Sequence, residues 1–454
     1  MDDGAAAEDT GVRATVRRFV ALERDVLVLS VAMFAFSLGF QMTSRYVPRY
    51  MSVLGAGAVA IGLFGTAGNL LAAVYPYPGG AVSDRIGSRL ALTLFGLAST
   101  AGFVIWLFAA RFGTITLPAV GTTVDVVGRE VVVGWLDPAV LPVGIFLGLL
   151  FAQAWKSLGL GATFAVVKQA VEPDRLATGF ASTETVRRTA FLLGPLLAAG
   201  VLAMYAFEPG FRIVLAIAAG VGLLGTVAQH VLYDAGEDTV GSSFAGVAAL
   251  LDDLRSMPAP LRPLLVADTV VRFANGMVYV FFVIVVTEFL RVGVTLPVVG
   301  RLSPEAYFGV LLALEMVVAL LVMVPVARLT RRVGLKPVVA IGFVVYAVFP
   351  VLLITAPPEA AALAVLFAFS GLRFAGLPAH KALIVGPAEA GAGGRVTGTY
   401  YIVRNVIVIP SAAVGGAIYA VSPTAAFTAA SAVGLLGVVL FAVFGREFEP
   451  AVAD

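Results

Sequence analysis

Long apolar segments alternate with short polar loops along almost the entire chain. A helix that spans a membrane needs about 20 mostly apolar residues. Strict alternation of apolar and polar residues, which a membrane β-strand requires, is confined to one loop. The pattern therefore predicts an all-α polytopic membrane protein with twelve transmembrane helices. The predicted segments are 26–50, 57–79, 90–111, 138–165, 177–204, 209–232, 263–290, 305–329, 336–356, 359–383, 397–420 and 423–444.

The composition agrees with a membrane protein. Apolar residues make up 60% of the chain and charged residues only 13%, and the mean hydropathy is +0.98. Basic residues favour the cytoplasmic side of a membrane, and an even number of spans places both termini on one side. With both termini inside, the tails and inner loops hold more than twice as many basic residues as the outer loops. We therefore expect a multi-pass protein in the lipid bilayer of the cell membrane, with both termini in the cytoplasm.

Several classes of chemistry are not expected. The chain has no cysteine and only two histidines, His230 and His380, without the paired spacing of a metal site. It lacks the G-x-x-x-x-G-K-[ST] loop that binds nucleotide phosphates, and its basic residues are too scattered to indicate nucleic-acid binding. No constellation of Ser, His and Asp suggests catalysis. We expect no metal, no cofactor and no enzymatic activity.

One loop motif recurs at about half the chain length. Residues 80–89 read GAVSDRIGSR, and residues 327–336, 247 positions later, read ARLTRRVGLK. A second repeat places a cation before x-x-Gly-Leu-x-Ala in each half, at Lys156 and at Arg373. Internal repeats are typical of transporters, whose binding sites lie between the repeats. We therefore expect two pseudo-symmetric six-helix bundles. The expected divisions are a cytoplasmic tail at 1–25, bundles at 26–232 and 263–446, a cytoplasmic connector at 233–262 and a C-terminal tail at 447–454.

Two polar regions carry local predictions. The unusually long outer loop at 112–137 alternates around a glycine between residues 122 and 133, which predicts a β-hairpin. In the connector, apolar residues recur at helical spacing between 244 and 254. This spacing predicts a short amphipathic helix on the cytoplasmic surface, with an inert tether as the alternative.

The twelve segments and the repeated loop resemble the major facilitator superfamily of secondary transporters. Its signature joins the second and third helices and recurs between the eighth and ninth, as it does here. The resemblance implies a cytoplasmic latch in which Asp84 contacts the N-terminal end of the eleventh helix, a favourable site for an anion. It also implies that Gly80 permits close helix contact and Gly87 a tight turn. Arg85 and Arg89 would pair with acids or lipid headgroups.

Two motifs depart from the family pattern. Arg331 stands where the second loop copy should have its aspartate, so we expect that side of the latch to be weak or absent. Residues 190–199, AFLLGPLLAA, resemble the antiporter motif G-x-x-x-G-P-x-x-G-G with three glycines replaced by alanine. Gly194 and its small neighbours would still permit close helix packing, and Pro195 would bend the helix.

Charged residues inside the predicted spans are the main functional candidates. A charge at the membrane centre costs about 2.5–3.5 kcal/mol on insertion scales, so it must face a cavity or a partner. Lys156 and Arg373 lie on equivalent helices and are predicted to contact a carboxylate or phosphate of the substrate. The alternative is contact with backbone carbonyls. Asn69, midway along the second segment, is a further cavity candidate.

The seventh and eighth segments carry the candidates for coupling. Asp268 and Arg272 are four residues apart on one helical face, and Asn275 extends that polar stripe. They form either a structural ion pair or a pair that opens when substrate or a proton arrives. Glu315 has no cation within one turn of its helix, which suits a reversible proton carrier. A structural partner for an arginine on another helix is the alternative.

A third group lies nearer the predicted cytoplasmic ends. Glu184, Arg187 and Arg188 on the fifth segment and Arg404 on the eleventh are predicted to form a cytoplasmic gate. Salt bridges at the membrane edge are the alternative.

Together these features predict a monomeric secondary active transporter that moves a small organic solute by alternating access. Proton coupling is expected because carboxylates lie within the membrane segments. Two substrate classes remain open. The surplus of cations favours an organic anion, whereas the partial antiporter motif favours efflux of amphipathic, drug-like compounds. A non-transporting membrane sensor or scaffold of the same fold is the alternative function.

Overall fold

The protein is dominated by long helices in a computed structural model. The N-terminal tail, most of the connector with the helix expected at 244–254, and the C-terminal tail beyond Glu447 lie outside the described residues. The described residues are 24–118, 120–126, 129–136, 138–159, 163, 176–233, 255, 257–259, 261–297, 300–374, 376–385 and 393–447.

Helices occupy all twelve of the predicted membrane segments. Ten are long and apolar enough to cross a membrane, an eleventh crossing is a helix pair bent by 42°, and the fourth segment contains the shorter apolar stretch Val143–Leu158. The predicted fold class is therefore confirmed.

We number the spans in chain order: Arg24–Thr43 with Val47–Val53, Ala58–Val74 with Pro76–Ile86, Ser88–Leu107, Val143–Ala152 with Ala154–Leu158, Leu176–Met204, Phe207–Leu232, Leu261–Val278 with Tyr279–Phe281, Phe282–Ile284 and Val285–Phe289, Pro304–Val333, Leu335–Ile354, Ala360–Gly371 with Leu372–Phe374 and Leu377–Val385, Gly393–Val408 with Ser411–Val421, and Pro423–Phe444.

Local sequence explains several helix ends. Spans 8 and 12 both begin with a serine cap followed by proline, and the hydroxyl groups of Ser303 and Ser422 accept hydrogen bonds from backbone N–H groups three residues later. Pro410 separates the two helices of span 11 because it lacks an N–H group. Span 4 starts later than predicted, at Val143, since residues 139–142 form a strand.

The repeated loop motif adopts the same turn in both halves. Gly87 and Gly334 have φ angles of 80° and 86° and directly precede spans 3 and 9. Glycine adopts such angles without a steric cost, so the predicted tight turn is confirmed. The polar gap predicted around the first motif is shorter than expected, because helix Pro76–Ile86 continues to the residue before Gly87. We call the end of the molecule that carries these two turns the motif end.

The opposite end carries short antiparallel strands. β1 (Thr114–Leu117) pairs with β4 (Ala139–Pro142), and β2 (Val120–Val126) pairs with β3 (Arg129–Leu136). The β2–β3 pair is the predicted hairpin. A smaller pair, β5 (Val294–Leu296) and β6 (Gly300–Leu302), connects spans 7 and 8. We call this end the hairpin end.

The spans pack mainly within each half of the chain. In the first half, spans 1, 5 and 6 pack together and span 3 packs on spans 4 and 6. In the second half, span 12 packs on spans 7 and 9, and span 8 packs on span 10. Among the described residues, the most extensive contacts between the halves are those of span 5 with span 8 and of span 2 with span 11. We call these contacts the seam.

Glycines bring the helices of the seam into close contact. A Cβ atom on Gly62 would lie 2.5 Å from the carbonyl oxygen of Ala412, and one on Gly309 would lie 2.6 Å from that of Pro195. Larger side chains would force the halves apart, since packed interiors leave no room for extra atoms. The seam thus fixes how the two halves face each other around the space between them.

Candidate functional site

A cavity of about 610 Å³ lies between the two halves. Spans 1 to 5 line it from the first half and spans 7, 8 and 10 from the second. Its volume is in the range of small-molecule sites, about 300–1,000 Å³. Its wall combines aromatic rings with more basic than acidic side chains. The rings are Phe36, Phe40, Phe64, Trp106, Trp155, Phe191, Tyr279 and Phe374, and the charged residues are Arg45, Lys156, Arg187, Arg188, Lys381 and Glu315.

A smaller cavity of about 220 Å³ adjoins the first. It lies against spans 2, 7 and 11 and shares Gly65, Asn69, Tyr279 and Val280 with the larger cavity. Its polar lining comprises Asn69, Arg272, Asn275, Arg404 and Asn405. Five of the predicted cavity residues therefore line at least one of the two cavities: Asn69, Lys156, Arg272, Asn275 and Glu315.

Lys156 extends into the larger cavity from a break in its helix. It lies on the π-turn Ala154–Leu158 of span 4, a kind of helix irregularity that is frequent at functional sites. Its Nζ lies 4.2 Å from the ring centroid of Phe40, a cation–π contact. Its side chain is exposed to the cavity, and no hydrogen bond or ion pair of Lys156 occurs among the described residues. Its charge is therefore available to a ligand.

Arg45 presents a second such cation that sequence reasoning missed. Its guanidinium carbon lies 4.1 Å from the ring centroid of Tyr279, which belongs to span 7 in the opposite half. Because Arg45 lies near the boundary of the apolar segment, it is not among the cavity candidates predicted from the sequence. The break in span 1 after Thr43 turns this residue into the cavity wall instead. A sequence signal existed, since Gln41 and Ser44 are polar neighbours at the same end.

Arg373 differs from its counterpart Lys156. It lies on the 3₁₀ turn Leu372–Phe374 and is only 3% exposed. Its Nη2 lies 2.6 Å from Oε1 of Glu315, and the same oxygen accepts a hydrogen bond of 2.6 Å from Ser370. Arg373 is thus not part of the cavity wall, contrary to its prediction as a substrate contact. The alternative role given for Glu315 was that of a structural partner for an arginine on another helix. Arg373 of span 10 is such an arginine.

Asp268 is the centre of a second buried network. It is fully buried, with its carboxylate 3.3 Å from Arg272 and 3.1 Å from Arg404. Tyr400 donates a hydrogen bond of 3.1 Å to it, and His380 lies 3.5 Å away. The predicted pair of Asp268 and Arg272 is therefore present, but Asp268 stands behind the cavity wall rather than in it. Three predicted residues thus join one network with His380 and Tyr400, which the sequence did not link.

The position of Arg404 corrects its predicted role. It was grouped with Glu184, Arg187 and Arg188 in a cytoplasmic gate, because span 11 seemed to place it near the end of its helix. Instead it reaches Asp268 and lines the smaller cavity. Arg187 and Arg188 line the larger cavity, and the side chain of Glu184 lies outside the described part of the structure. No cluster of three or more metal-binding side chains occurs in that described part.

Solved structures of transporters share this architecture. A POT family transporter in complex with 5-aminolevulinic acid matches with a TM-score of 0.69 at 14% identity, covering 94% of this chain and 99% of that chain. The peptide transporter POT in complex with sulfate matches at 0.68 and 14%, covering 95% and 99%. The nucleoside transporter NupG matches at 0.65 and 12%, covering 92% and 98%. The chain shares the fold of these transporters.

The resemblance to the superfamily is structural rather than based on close sequence similarity. No protein-family model matches the chain, and no curated protein matches it in sequence. The predicted family resemblance is thus supported by the fold, which is also that of secondary transporters. Identities of 12–14% leave the substrate open.

The superfamily loop motif is only partly engaged in this structure. A Cβ atom on Gly80 would meet nothing within 4 Å, whereas one on Gly79 would collide with the backbone of Leu158 in span 4. The predicted close contact is therefore made by Gly79. Arg89 donates a hydrogen bond of 2.8 Å to the carbonyl of His230 at the end of span 6, rather than to an acid. Arg85 is exposed.

Asp84 shows no latch contact among the described residues. It is half-buried, and it makes no hydrogen bond or ion pair with any described group, including the described start of span 11. The antiporter-like motif, by contrast, packs as predicted. A Cβ atom on Gly194 would lie 2.8 Å from the Cβ of Gln41, so spans 1 and 5 are in close contact there.

An ion-pair cluster joins the two halves at the hairpin end. Arg49 of span 1 lies 2.8 Å from Glu288 at the end of span 7 and 3.3 Å from Glu305 at the start of span 8. Tyr46 donates a hydrogen bond of 3.1 Å to the backbone carbonyl of Glu305. Sequence reasoning missed this cluster, because its members lie at segment ends that are far apart in the chain. Ion pairs thus join the two halves at the hairpin end, whereas Asp84 has no partner among the described residues of the motif end.

Proposed function

We propose that the protein is a secondary active transporter that carries a small organic anion by alternating access in the cell membrane. The observation that carries this proposal is the pair Lys156 and Arg45. Both cations face the cavity between the halves, and neither has an acidic partner among the described residues. Since an uncompensated charge inside a membrane is costly, an anionic ligand would be stabilised there.

A neighbouring group supports a polar organic ligand. Gln153 is buried on the cavity wall, and its Oε1 has no hydrogen-bond partner in the described structure. Buried polar atoms are normally hydrogen-bonded, so this acceptor suits a hydroxyl or N–H group of a solute. The transporters that share this fold support a small organic solute, since their names specify peptides or nucleosides and one of them is in complex with 5-aminolevulinic acid.

The two ends of the molecule support a state that faces the cytoplasm. In our proposal the termini and the motif end are cytoplasmic, and the hairpin end is outside. Arg49 and the seam glycines then close the outer side. Asp84 would contact the N-terminal end of span 11 only after the cytoplasmic side closes. Rocking of the halves would exchange these contacts, as in transporters built from repeats.

Protons are the proposed coupling ion, and Glu315 the proposed carrier. It lines the cavity and forms an ion pair with the buried Arg373. A proton on Glu315 would cancel this pair and leave Arg373 without an acid, so proton binding and the arrangement of span 10 would be linked. We propose a monomer as the functional unit, since each chain carries a complete cavity.

An amphipathic, drug-like substrate is the second candidate. The eight aromatic rings of the larger cavity favour it, because aromatic side chains offer large apolar contact areas. The close packing at Gly194 in the antiporter-like motif agrees with this candidate.

Proton flux in proteoliposomes tests the proposal. The purified protein is reconstituted, a pH gradient is imposed, and internal pH is followed with a trapped fluorophore while benzoate or a hydrophobic cation is added. We expect benzoate to trigger proton movement in the wild-type protein and not in Lys156→Gln. Lys336→Gln is the matched control, since Lys336 lines neither cavity and its Nζ donates a hydrogen bond to the carbonyl of Ala442 near the end of span 12.

The other outcomes assign other functions. A response to the hydrophobic cation alone would support the drug-like substrate and overturn the anion proposal. Equal benzoate responses in the wild-type and Lys156→Gln proteins would remove Lys156 from the site. Ligand binding without flux of any kind would point to the sensor or scaffold.

A further inference from the structure

The smaller cavity has an unusual charge balance. Two guanidinium groups, from Arg272 and Arg404, line it together with the amides of Asn69, Asn275 and Asn405. No acidic residue of the described structure lines this space. Amides can donate hydrogen bonds, and guanidinium groups bind carboxylates and phosphates through parallel donors. The lining is therefore suited to an anion.

The charges of the two arginines are only partly compensated. Both contact the same carboxylate, that of Asp268, at 3.3 Å and 3.1 Å. Asp268 is fully buried, whereas the arginine side chains are 24% and 16% exposed. One acid thus serves two cations, and the remaining positive charge faces the cavity. His380 and Tyr400, the other groups at Asp268, add no negative charge at neutral pH.

The amide of Asn275 is also available. It lines the smaller cavity and forms no hydrogen bond with any residue that the structure describes. Asn405 is engaged differently, because its Oδ1 accepts hydrogen bonds from Nε and Nη2 of Arg404. This contact directs the amide oxygen of Asn405 away from a ligand and holds the Arg404 fork in place. Asn275 and the exposed face of Arg272 therefore provide free donors at this position.

The two cavities adjoin at Asn69 and Tyr279. Both residues line both spaces, and Arg45 lies over the ring of Tyr279. The cations of the first half and the arginines of the second therefore lie on the two sides of Tyr279, where movement of this ring would let one solute contact both. The aromatic rings between these ends suit an apolar, planar body.

We infer that the substrate is an organic dianion, with one anionic group at Lys156 and Arg45 and the other at Arg272 and Arg404. This inference rests on the proposed function and specifies its substrate class. Such a solute neutralises the surplus charge of both halves at once and links them electrostatically. A monoanion satisfies only one half and leaves the other charge exposed in the membrane.

Binding of matched probes tests the inference. Terephthalate carries carboxylates at both ends of one ring, and benzoate carries a single one. Biphenyl dicarboxylate and biphenyl monocarboxylate extend the reach of the same comparison. Affinities are measured by calorimetry on the purified wild-type protein. We expect the better dicarboxylate to bind at least tenfold more tightly than its monocarboxylate partner.

Asn275→Asp isolates the smaller cavity. It places a carboxylate there at nearly constant shape and leaves the contacts of Asp268 in place. We expect the ratio of dicarboxylate to monocarboxylate affinity to fall to about one. Asn275→Leu, which removes the donor without adding charge, should lower the ratio less.

The possible results separate the inference from the proposed function. Equal affinities for the two members of each probe pair in the wild type, or an unchanged ratio in Asn275→Asp, would overturn the dianion inference. Monocarboxylate binding that depends on Lys156 would leave the proposed function intact in either case. Absence of binding by all four probes would overturn the anion proposal together with the inference.

Discussion

The two halves of the molecule carry equivalent cations that do different things. Lys156 and Arg373 occupy the same place in the repeat, and both lie on irregular turns of their helices. Lys156 is exposed to the cavity, contacts the ring of Phe40 and has no acidic partner among the described residues. Arg373 is buried and paired with Glu315. The repeat therefore determines where a cation lies, and the nearby acids determine whether it is available to a ligand.

This difference extends to the rest of each half. In the second half, the acids Asp268 and Glu315 hold Arg272, Arg404 and Arg373 in fixed positions. In the first half, Lys156 and Arg45 at the cavity wall contact the rings of Phe40 and Tyr279 instead. The second half is thus organised by ion pairs, while the first half presents two cations that have no acidic partner among the described residues. Substitutions in the two halves should therefore have different consequences.

Removing the acid of the second half should have the largest effect. Glu315→Gln leaves Arg373 buried without a negative partner, and such losses cost about 3–5 kcal/mol. We expect a large fall in the thermal unfolding midpoint of the purified protein, together with loss of proton-coupled uptake. Lys156→Gln is the matched variant and should leave the unfolding midpoint unchanged.

A double variant checks the cause of this loss. Glu315→Gln combined with Arg373→Gln removes both charges and should recover much of the stability, because no charge remains buried alone. The explanation would be wrong if the single Glu315 variant were as stable as the wild type, or if the double variant were no more stable than the single one. In either case the ion pair with Glu315 would not be what distinguishes Arg373 from Lys156. Persistent pH-driven transport in Glu315→Gln would remove Glu315 from proton coupling.

The turns of the two loop motifs offer a smaller test. Gly87 and Gly334 both require positive φ, which costs other residues about 1–2 kcal/mol. Beside Gly334, however, the carboxylate of Glu447 accepts hydrogen bonds from the N–H groups of Leu335 and Lys336. A Cβ atom on Gly334 would lie 2.7 Å from that carboxylate, which adds crowding to the backbone strain that both turns share. We expect Gly334→Ala to lower the unfolding midpoint more than Gly87→Ala does.

Gly80→Ala is the control for both turns. Its Cβ atom would enter open space, so stability should be unchanged or slightly higher, since alanine favours helices. Equal losses at Gly87 and Gly334 would show that Glu447 does not crowd the second turn.

The sequence predicted the fold far better than the site. Segment length and the loop repeat located the twelve spans, because a helix that crosses a membrane needs about 20 consecutive, mostly apolar residues. The position of Gly87 before span 3 followed from the motif in the same way. These features depend on residues that are close together in the chain.

The partners of the charged residues could not be predicted in this way. Glu315 and Arg373 are 58 positions apart, and Asp268 and Arg404 are 136 positions apart, so only packing shows which pairs form. Arg45 was missed because the break in span 1 redirects it into the cavity. Arg404 was misplaced because helical spacing indicates the face of a residue but not its neighbour on another span.

A weaker effect is expected where the two halves meet at the hairpin end. Arg49 pairs there with Glu288 and Glu305, and its side chain is 21% exposed. Partly exposed ion pairs contribute about 0.2–1 kcal/mol, which corresponds to a population shift of up to about fivefold. We expect Arg49→Gln to favour opening of the hairpin end without unfolding the protein.

Cysteine labelling can measure this shift, since the chain contains no cysteine of its own. A single cysteine at Ser44 on the cavity wall should react faster with a membrane-impermeant reagent added from the hairpin end once Arg49 is replaced. Arg301→Gln, an exposed residue of β6 at the same end, is the control. Equal labelling rates in the Arg49 variant and the wild type would show that the seam glycines alone keep this end closed.

The smallest effect is expected at the loop motif of the first half, where Asp84 makes no latch contact with any residue that the structure describes. Asp84→Asn should leave the unfolding midpoint of the protein unchanged, because no ion pair is lost. It should nevertheless slow closure of the motif end, since a carboxylate is favoured over an amide at a helix N-terminus by about 0.3–1 kcal/mol. The Ser44 cysteine would then be labelled more readily from the motif end. A clear loss of stability, or unchanged labelling from both ends, would show that Asp84 does not act as a latch and that the two loop copies are alike in lacking one.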